Sequence, residues 1–176
     1  VIIAFEGKTP IIHPSAWIAP GAVIIGDVEI GPDSSVWYGC VLRGDTNRIR
    51  IGARTNIQDG TIVHVNHVCY PTLIGDDVTI GHAAIVHACE LHDGSFVGMG
   101  ATVMDGAVLG RGSVLGARAM LTPGKVTGEE ELWIGSPAKL QRCLSEQDKA
   151  MFADTVPHYL DLSRRHARTA KRLDEE

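Results

Sequence analysis

Aromatic residues are scarce: three Phe, three Trp and three Tyr in 176 positions. A conventional sandwich or α/β core draws much of its volume from such rings, so this core must be filled in another way. Cys40, Cys69, Cys89 and Cys143 form no CxxC pair. That argues against a disulfide framework, and the thiols read as small buried or half-buried side chains. No apolar run nears the roughly 20 residues that span a bilayer. The opening VIIAFEGK has neither the basic n-region nor the cleavage site of a secretory signal. A cytoplasmic protein with no membrane partner is the expectation. The formal charge is −5, and no basic block precedes residue 164, which argues against nucleic acid as a partner. The late cluster Arg164, Arg165, Arg168, Lys171 and Arg172 is offset by nearby acids, as on a solvated helix face.

What the chain has instead is 20 glycines and a six-residue repeat. Aliphatic side chains recur at Ile18, Ile24, Ile30, Val36 and Leu42, then at Ile51, Ile57 and Val63, then at Ile74, Ile80 and Val86. A last run holds Leu91, Val97, Val103, Leu109, Leu115 and Leu121. A step of six fits neither the 3.6 of a helix nor the alternation of an ordinary strand. It fits a hexapeptide β-helix, in which three units close one triangular coil and the aliphatics stack inward. The residue after the inward aliphatic is Gly at 31, 52, 75, 81, 98, 110 and 116. A side chain there would crowd a tight corner, or the backbone there needs a φ that only glycine adopts cheaply.

The register breaks between Leu42 and Ile51, between Val63 and Ile74, and between Val86 and Leu91. Insertions in a solenoid emerge as loops on one side, so RGDTNRIR and HVNHVCYPT are expected to protrude. Three segments follow: a β-helix over residues 1–121, an irregular return over 122–144, and a helix over 145–176 packed on the solenoid. Ser145 and Asp148 offer an N-cap and a near capping box for a helix to about residue 172, which Pro157 should kink or split.

Departures from the small-residue rule are informative, because local rules tend to break at functional sites. The polar departures are Arg43, Gln58, His64, His87, His92 and Thr122, with His82 one place further along its unit. His64 and His82 are one nominal coil apart, which would stack them on one face about 4.8 Å apart. His82 and His87 turn a corner, so three rings on one narrow prism diverge, and their directions suggest a site shared between subunits. Three imidazoles plus water are an open, catalytic type of zinc coordination. Spacing alone leaves surface histidines equally open, since no compact motif such as HExxH is present. His13, His67 and His92 read as structural, Arg43 with Asp45 as an exposed ion pair, and Gln58 as a corner hydrogen bonder.

The ordered text APGAVIIGDVEIGPDSSVWYGCVLRGD, IGARTNIQDGTIVH, IGDDVTIGHAAIVHACEL, GMGATVMDGAVLG and WIGSPAKLQR resembles the γ-class carbonic anhydrase family. The likeness is to its short branch without the acidic loop, whose members are often named as ferripyochelin-binding or hexapeptide-transferase-like proteins. It covers residues 10 to about 143 and continues more weakly into the C-terminal helix. The resemblance implies an all-β, left-handed parallel β-helix with a C-terminal α-helix, assembled as a homotrimer with three interfacial metal sites. His64 and His87 of one subunit and His82 of its neighbour would hold Zn²⁺, with Fe²⁺ or Co²⁺ as alternatives. Gln58 would orient the metal-bound hydroxide, and Arg43 with Asp45 would bridge the interface beside bicarbonate. Asn56 and Asp59 match supporting positions, and Tyr159 matches, less securely, a helix tyrosine near the metal.

The implied reaction is attack of zinc-bound hydroxide on CO₂, with bicarbonate as product. The family's best-studied type carries proton-shuttle glutamates that are missing here: Thr46 follows Asp45, and VNHVCYPT has no carboxylate. Buffer or His67 is left for that step. Metal-dependent thioester hydrolysis on acyl-CoA, hexapeptide acyl transfer through a single histidine, and a metal-binding scaffold are the rival functions.

Overall fold

An inward aliphatic every six residues leaves room for a two-residue strand and a short turn, and that unit is what the chain repeats. The structure is a computed structural model that describes residues 1–171 and 173. It is a parallel β-helix followed by helical segments. One face is an eight-stranded sheet running from Trp17–Ile18 through Asn56–Ile57 and Thr79–Ile80 to Glu131–Ile134 and Lys139–Cys143. An eleven-stranded sheet forms the other two faces, because the long strand Val41–Ile51 rounds the corner between them. Its residues 41–43 pair with Ile62–His64, and its residues 49–51 pair with Thr72–Ile74.

Parallel register stacks the inward residues in columns. Ile24, Leu42, Val63, Val86, Val103 and Leu121 are successive partners in one, and Val36, Ile57, Ile80, Val97 and Leu115 in another. Every aliphatic expected inward is buried except Ile18, which is half-buried and packs against the rest. Each such side chain contributes roughly 1.5–3 kcal/mol on leaving water, which is how the core forms without many rings.

Two different glycine places recur in the turns. Gly31, directly after Ile30, is not among the left-handed residues, yet an added Cβ would lie 2.6 Å from Gly52 O and 2.7 Å from Gly52 C. Crowding between coils excludes a side chain there. Two positions further on, the backbone turns left-handed: Asp33 has φ 58°, and Gly124, at the same place after Leu121, has φ +66° with nothing within 4 Å of an added Cβ.

The register breaks take two forms. RGDTNRIR does not leave the sheet as a loop. Gly44 pairs with Gly26 and Ile49 with Val28, so residues 45–48 bulge opposite Asp27 while Ile49 re-enters the core. HVNHVCYPT does form a loop, between Ile62–His64 and Thr72–Ile74. Residues 122–144, expected as an irregular return, add most of another coil. Val126 bridges to Val108, Glu131–Ile134 pairs in parallel with Val114–Leu115, and Lys139–Cys143 folds back antiparallel to close the sheet. Trp133 continues the inward column above Leu115 and plugs that end.

The expected C-terminal helix is split into α1 (Glu146–Ala153) and α2 (Thr155–Thr169). Ser145 and Asp148 form a complete capping box at the start of α1. The break at Asp154 puts Pro157 in the first turn of α2, where its missing N–H leaves no bond unmade. The chain leaves the helical state after Thr169, short of the expected end, and Arg172 lies outside the described residues. Helix α2 docks through Tyr159 and His166, whose rings meet Trp37 at centroid distances of 5.2 and 5.1 Å. No described helix is long and apolar enough to cross a membrane.

The two glycine places predict unequal costs. Gly31→Ala should destabilise by about 3 kcal/mol, the upper end for overpacking against atoms that cannot move aside. Gly124→Ala should cost about 1 kcal/mol, the penalty of a left-handed residue with free space around it. Denaturant unfolding of both variants checks the order; equal costs would mean that backbone conformation, not inter-coil crowding, governs both places.

Candidate metal centre

The register that stacks the core also stacks polar residues on the outside of the coil. Arg43 pairs with His64, and His64 pairs with His87, giving a column of three on successive coils. This corrects the expectation that His64 and His82 share a face. The loop after Val63 lengthens that coil, so the residue above His64 is 23 positions on, at His87, and His82 falls on another face. Nδ1 of His64 and Nε2 of His87 face each other at 3.2 Å.

Each ring is held from behind by a carboxylate. Asp45 Oδ1 lies 3.1 Å from His64 Nε2, while its Oδ2 accepts from Arg43. Asp105 Oδ1 lies 2.6 Å from His87 Nδ1, while its Oδ2 accepts from Asn66 Nδ2 at 2.8 Å. Burial lowers the pKa of His64 and outweighs the hydrogen bond to Asp45 that favours its charged form; the nearby Arg43 charge acts in the same direction as burial. The ring is therefore held neutral, the form in which imidazole binds a metal. Partial burial opposes ionisation of Asp45 and of Asp105. The hydrogen bonds from Arg43 and His64, and from Asn66 and His87, outweigh it and hold both carboxyls below the usual range.

A second group is carried by the neighbouring, eight-stranded face, the turns that leave it, and helix α2. His82 Nδ1 is 2.9 Å from Asp59 Oδ2, and its Nε2 is 3.4 Å from the Tyr159 hydroxyl. Burial, with a smaller contribution from the Asp59 charge, raises the pKa of that phenol. Gln58 is buried and donates to Asn56 Oδ1 at 3.1 Å, and Asn56 donates to Thr79 Oγ1 at 2.9 Å. An apolar groove of about 480 Å³, lined by Gln58, His82, Met99, Phe152 and Tyr159 among others, opens beside them. The expected site residues thus divide in two: Arg43, Asp45, His64 and His87 on one face, and Asn56, Gln58, Asp59, His82 and Tyr159 on the other.

The first group fits a metal. Two nitrogens bound at about 2.0–2.1 Å to a tetrahedral ion stand roughly 3.3 Å apart, close to the separation of the two facing ring nitrogens. With the outer nitrogens protonated towards Asp45 and Asp105, both inner nitrogens carry lone pairs. Two lone pairs aimed at each other repel unless a cation lies between them. Carboxylates behind ligating imidazoles are the usual supporting partners of such sites. Among the described residues, no group of three or more His, Cys, Asp or Glu side chains is set to hold a metal within one chain.

Asp105 and Asn66 were not singled out from the sequence. A signal existed: Asp105 lies 18 residues after His87, one nominal coil, although the short step from Val86 to Leu91 makes the actual coil 17. Asn66 had none, because it lies in the irregular loop. His92 Nε2 lies 3.6 Å from Glu90 Oε2, and His13 Nδ1 lies 2.9 Å from Ser15 Oγ. His67 is exposed in the loop.

Comparison with known proteins identifies the family. A family model described as bacterial transferase hexapeptide (six repeats) matches residues 9–44. The mitochondrial gamma carbonic anhydrase 2 of Arabidopsis thaliana is 43% identical over 165 residues, covering 91% of this chain and 59% of that protein. The chain thus spans 59 to 67% of the length of the three plant relatives it matches at 43–48% identity. A probable carbonic anhydrase of Methanocaldococcus jannaschii is 47% identical over 152 residues, covering 86% of this chain and 95% of that one. The crystal structure of a hexapeptide transferase family protein from Anaplasma phagocytophilum superposes with a TM-score of 0.89 at 47% identity, over 93% of this chain and 96% of that one. With the hexapeptide coil, the carboxylate-backed histidines and relatives of this identity and coverage together, the chain belongs to the γ-class carbonic anhydrase family of hexapeptide-repeat proteins.

Proposed function

We propose that the protein is a metal-dependent carbonic anhydrase, interconverting CO₂ and bicarbonate at sites formed between the subunits of a homotrimer. The observation that carries this reading is the pair of facing ring nitrogens of His64 and His87, 3.2 Å apart and each backed by a carboxylate. Family membership supplies the reaction. The third ligand would be His82 of a neighbouring subunit, itself carboxylate-backed and on a different face of its own chain. Zn²⁺ is the proposed ion, and Fe²⁺ or Co²⁺ also suit imidazole ligands.

Held by three neutral imidazoles, such a cation lowers the pKa of water to about 7. The chain's own residues do the rest. Asp45, Asp105 and Asp59 accept from the outer ring N–H groups, so the inner nitrogens stay free to bind. Gln58 uses an amide proton on Asn56, which leaves its carbonyl oxygen to accept from the attacking oxygen and fix its direction. Arg43, part-exposed beside His64, offers a cation to the anionic product. No glutamate follows Asp45, so buffer or the exposed His67 takes the released proton. An exposed apolar column, Ile62 and Ile85 with Met120 two coils on, runs beside the histidine column. It supports a subunit interface on that face.

Stopped-flow CO₂ hydration on protein prepared without oxygen and assayed for metal tests the activity. The rate should track metal content, and His87→Ala should lose more than the roughly 10–100-fold that removing an outer-shell partner costs a metal site. Metal at one per chain with hydration at the buffer rate would sink the anhydrase reading and favour thioester hydrolysis.

Mixing subunits tests the shared site. His82→Ala and His87→Ala chains should each be inactive. Co-refolded in equal amounts, they should recover about a quarter of wild-type activity, because in a cyclic trimer one interface in four then joins two intact halves. No recovery from mixed oligomers, or a stable monomer with full metal occupancy, would exclude a site between subunits.

A further inference from the structure

Two of the three register breaks that interrupt the repeat meet behind the histidine column. The bulge at residues 45–48 brings Asp45 to His64, and its Asn47 Nδ2 donates to the Asn66 carbonyl at 3.1 Å. The loop between Ile62–His64 and Thr72–Ile74 is organised around Asn66. Its Oδ1 accepts from the Val68 and Cys69 N–H groups at 2.9 and 3.2 Å, and its own N–H donates to the Tyr70 carbonyl at 3.0 Å. The loop then touches the turn that carries Asp105 at two points. Asn66 Nδ2 donates to Asp105 Oδ2, and the Tyr70 ring lies over Gly106, where an added Cβ would be 3.1 Å from Tyr70 Cζ.

We propose that Asn66 is a positioning residue for His87: it locks the Asp105 carboxylate so that Oδ1 holds the ring proton on Nδ1 and leaves Nε2 free to face His64. A carboxylate's terminal torsion is broad, and a single hydrogen bond would let Asp105 pivot. The second bond, from the Asn66 amide, fixes which oxygen meets the ring. Without it the carboxylate is free to turn away from Nδ1, and a proton on Nε2 removes the lone pair that the column needs. The loop that spoils the six-residue register thereby sets the tautomer of a histidine 21 residues away in sequence, through two hydrogen bonds of 2.8 and 2.6 Å. The consequence for metal rests on the function proposed above; the tautomer does not.

Two variants of the full chain test it. Asn66→Ser keeps a short acceptor for the loop's own turn but cannot reach Asp105. Combining Asn66→Asp with Asp105→Asn reverses donor and acceptor: the amide at 105 donates to the carboxylate at 66, and its carbonyl still accepts from His87. The readouts are Zn²⁺ retention against a competing chelator and the ¹⁵N signals of the histidine rings in metal-stripped protein, with His87 assigned by its loss in His87→Ala. In wild type His87 should carry its proton on Nδ1. Asn66→Ser should move much of it to Nε2 and weaken Zn²⁺ binding about 10-fold, at the low end for outer-shell partners, and the reversed pair should restore the Nδ1 form. His87 unchanged in Asn66→Ser with wild-type Zn²⁺ retention would overturn the proposal. So would a folded reversed pair that fails to restore the Nδ1 form. Wild-type protein that binds no Zn²⁺ would overturn the metal reading instead, while the ring signals would still decide the role of Asn66.

Discussion

Parallel pairing between successive coils makes equal positions neighbours, about 4.8 Å apart, along the whole solenoid. The inward aliphatics become unbroken columns because of it, and so do the side chains on the outer surface. Arg43, His64 and His87 lie in one such column only because the strands beneath them share register. The backbone hydrogen bonds that hold the fold therefore also set the spacing of the histidines, and the rigid coil leaves little freedom in where the rings start. What the coil cannot set is the rotation of each ring and the position of its proton. Those are left to the carboxylates.

That division explains where the irregular residues are. Repeating units can supply a column of side chains but not the varied partners a polar site needs, since a repeat places the same chemistry on every coil. Asp45 and Asn47 come from a bulge, and Asn66 from a loop. Asp105 comes from a regular turn and is recruited by the loop. A ring held between a carboxylate on one side and a facing lone pair on the other is poorly stable as an isolated arrangement. A cation between the two facing nitrogens would relieve that repulsion.

Much of this was legible in the sequence, and the failures share one cause. The six-residue step identified the inward residues and the fold because inward packing tolerates no exceptions, and every such residue but Ile18 is buried. The histidines stood out as polar side chains where small ones are the rule. Which of them stack did not, because counting 18 residues from His64 assumes a regular coil, and the loop after Val63 makes that coil longer. A count of 18 from His87 leads to Asp105, one place past the residue stacked on His87, because the five-residue step from Val86 to Leu91 shortens that coil to 17. Asn66 was beyond any count, since its place depends on how a loop closes. The bulge at residues 45–48 hid another inward residue, Ile49, and the final coil hid Trp133, each lying where the six-residue frame had lapsed.

The split of the polar residues between two faces bears on assembly more directly than any single contact. A triangular prism turns its faces away from one another, so groups anchored on different faces of one chain diverge as they leave the backbone. His82, with Asp59 behind one nitrogen and Tyr159 near the other, is as deliberately held as His87, yet it belongs to a different face. Two half-sites of this quality on one monomer have no use for each other. In the proposed trimer, the same two faces of adjacent copies would meet, and each interface would join one half of either kind. The exposed Ile62 and Ile85 beside the histidine column then gain a partner surface. In that arrangement the apolar stripe and the polar column have one explanation: both belong to an interface that a second copy of the chain completes.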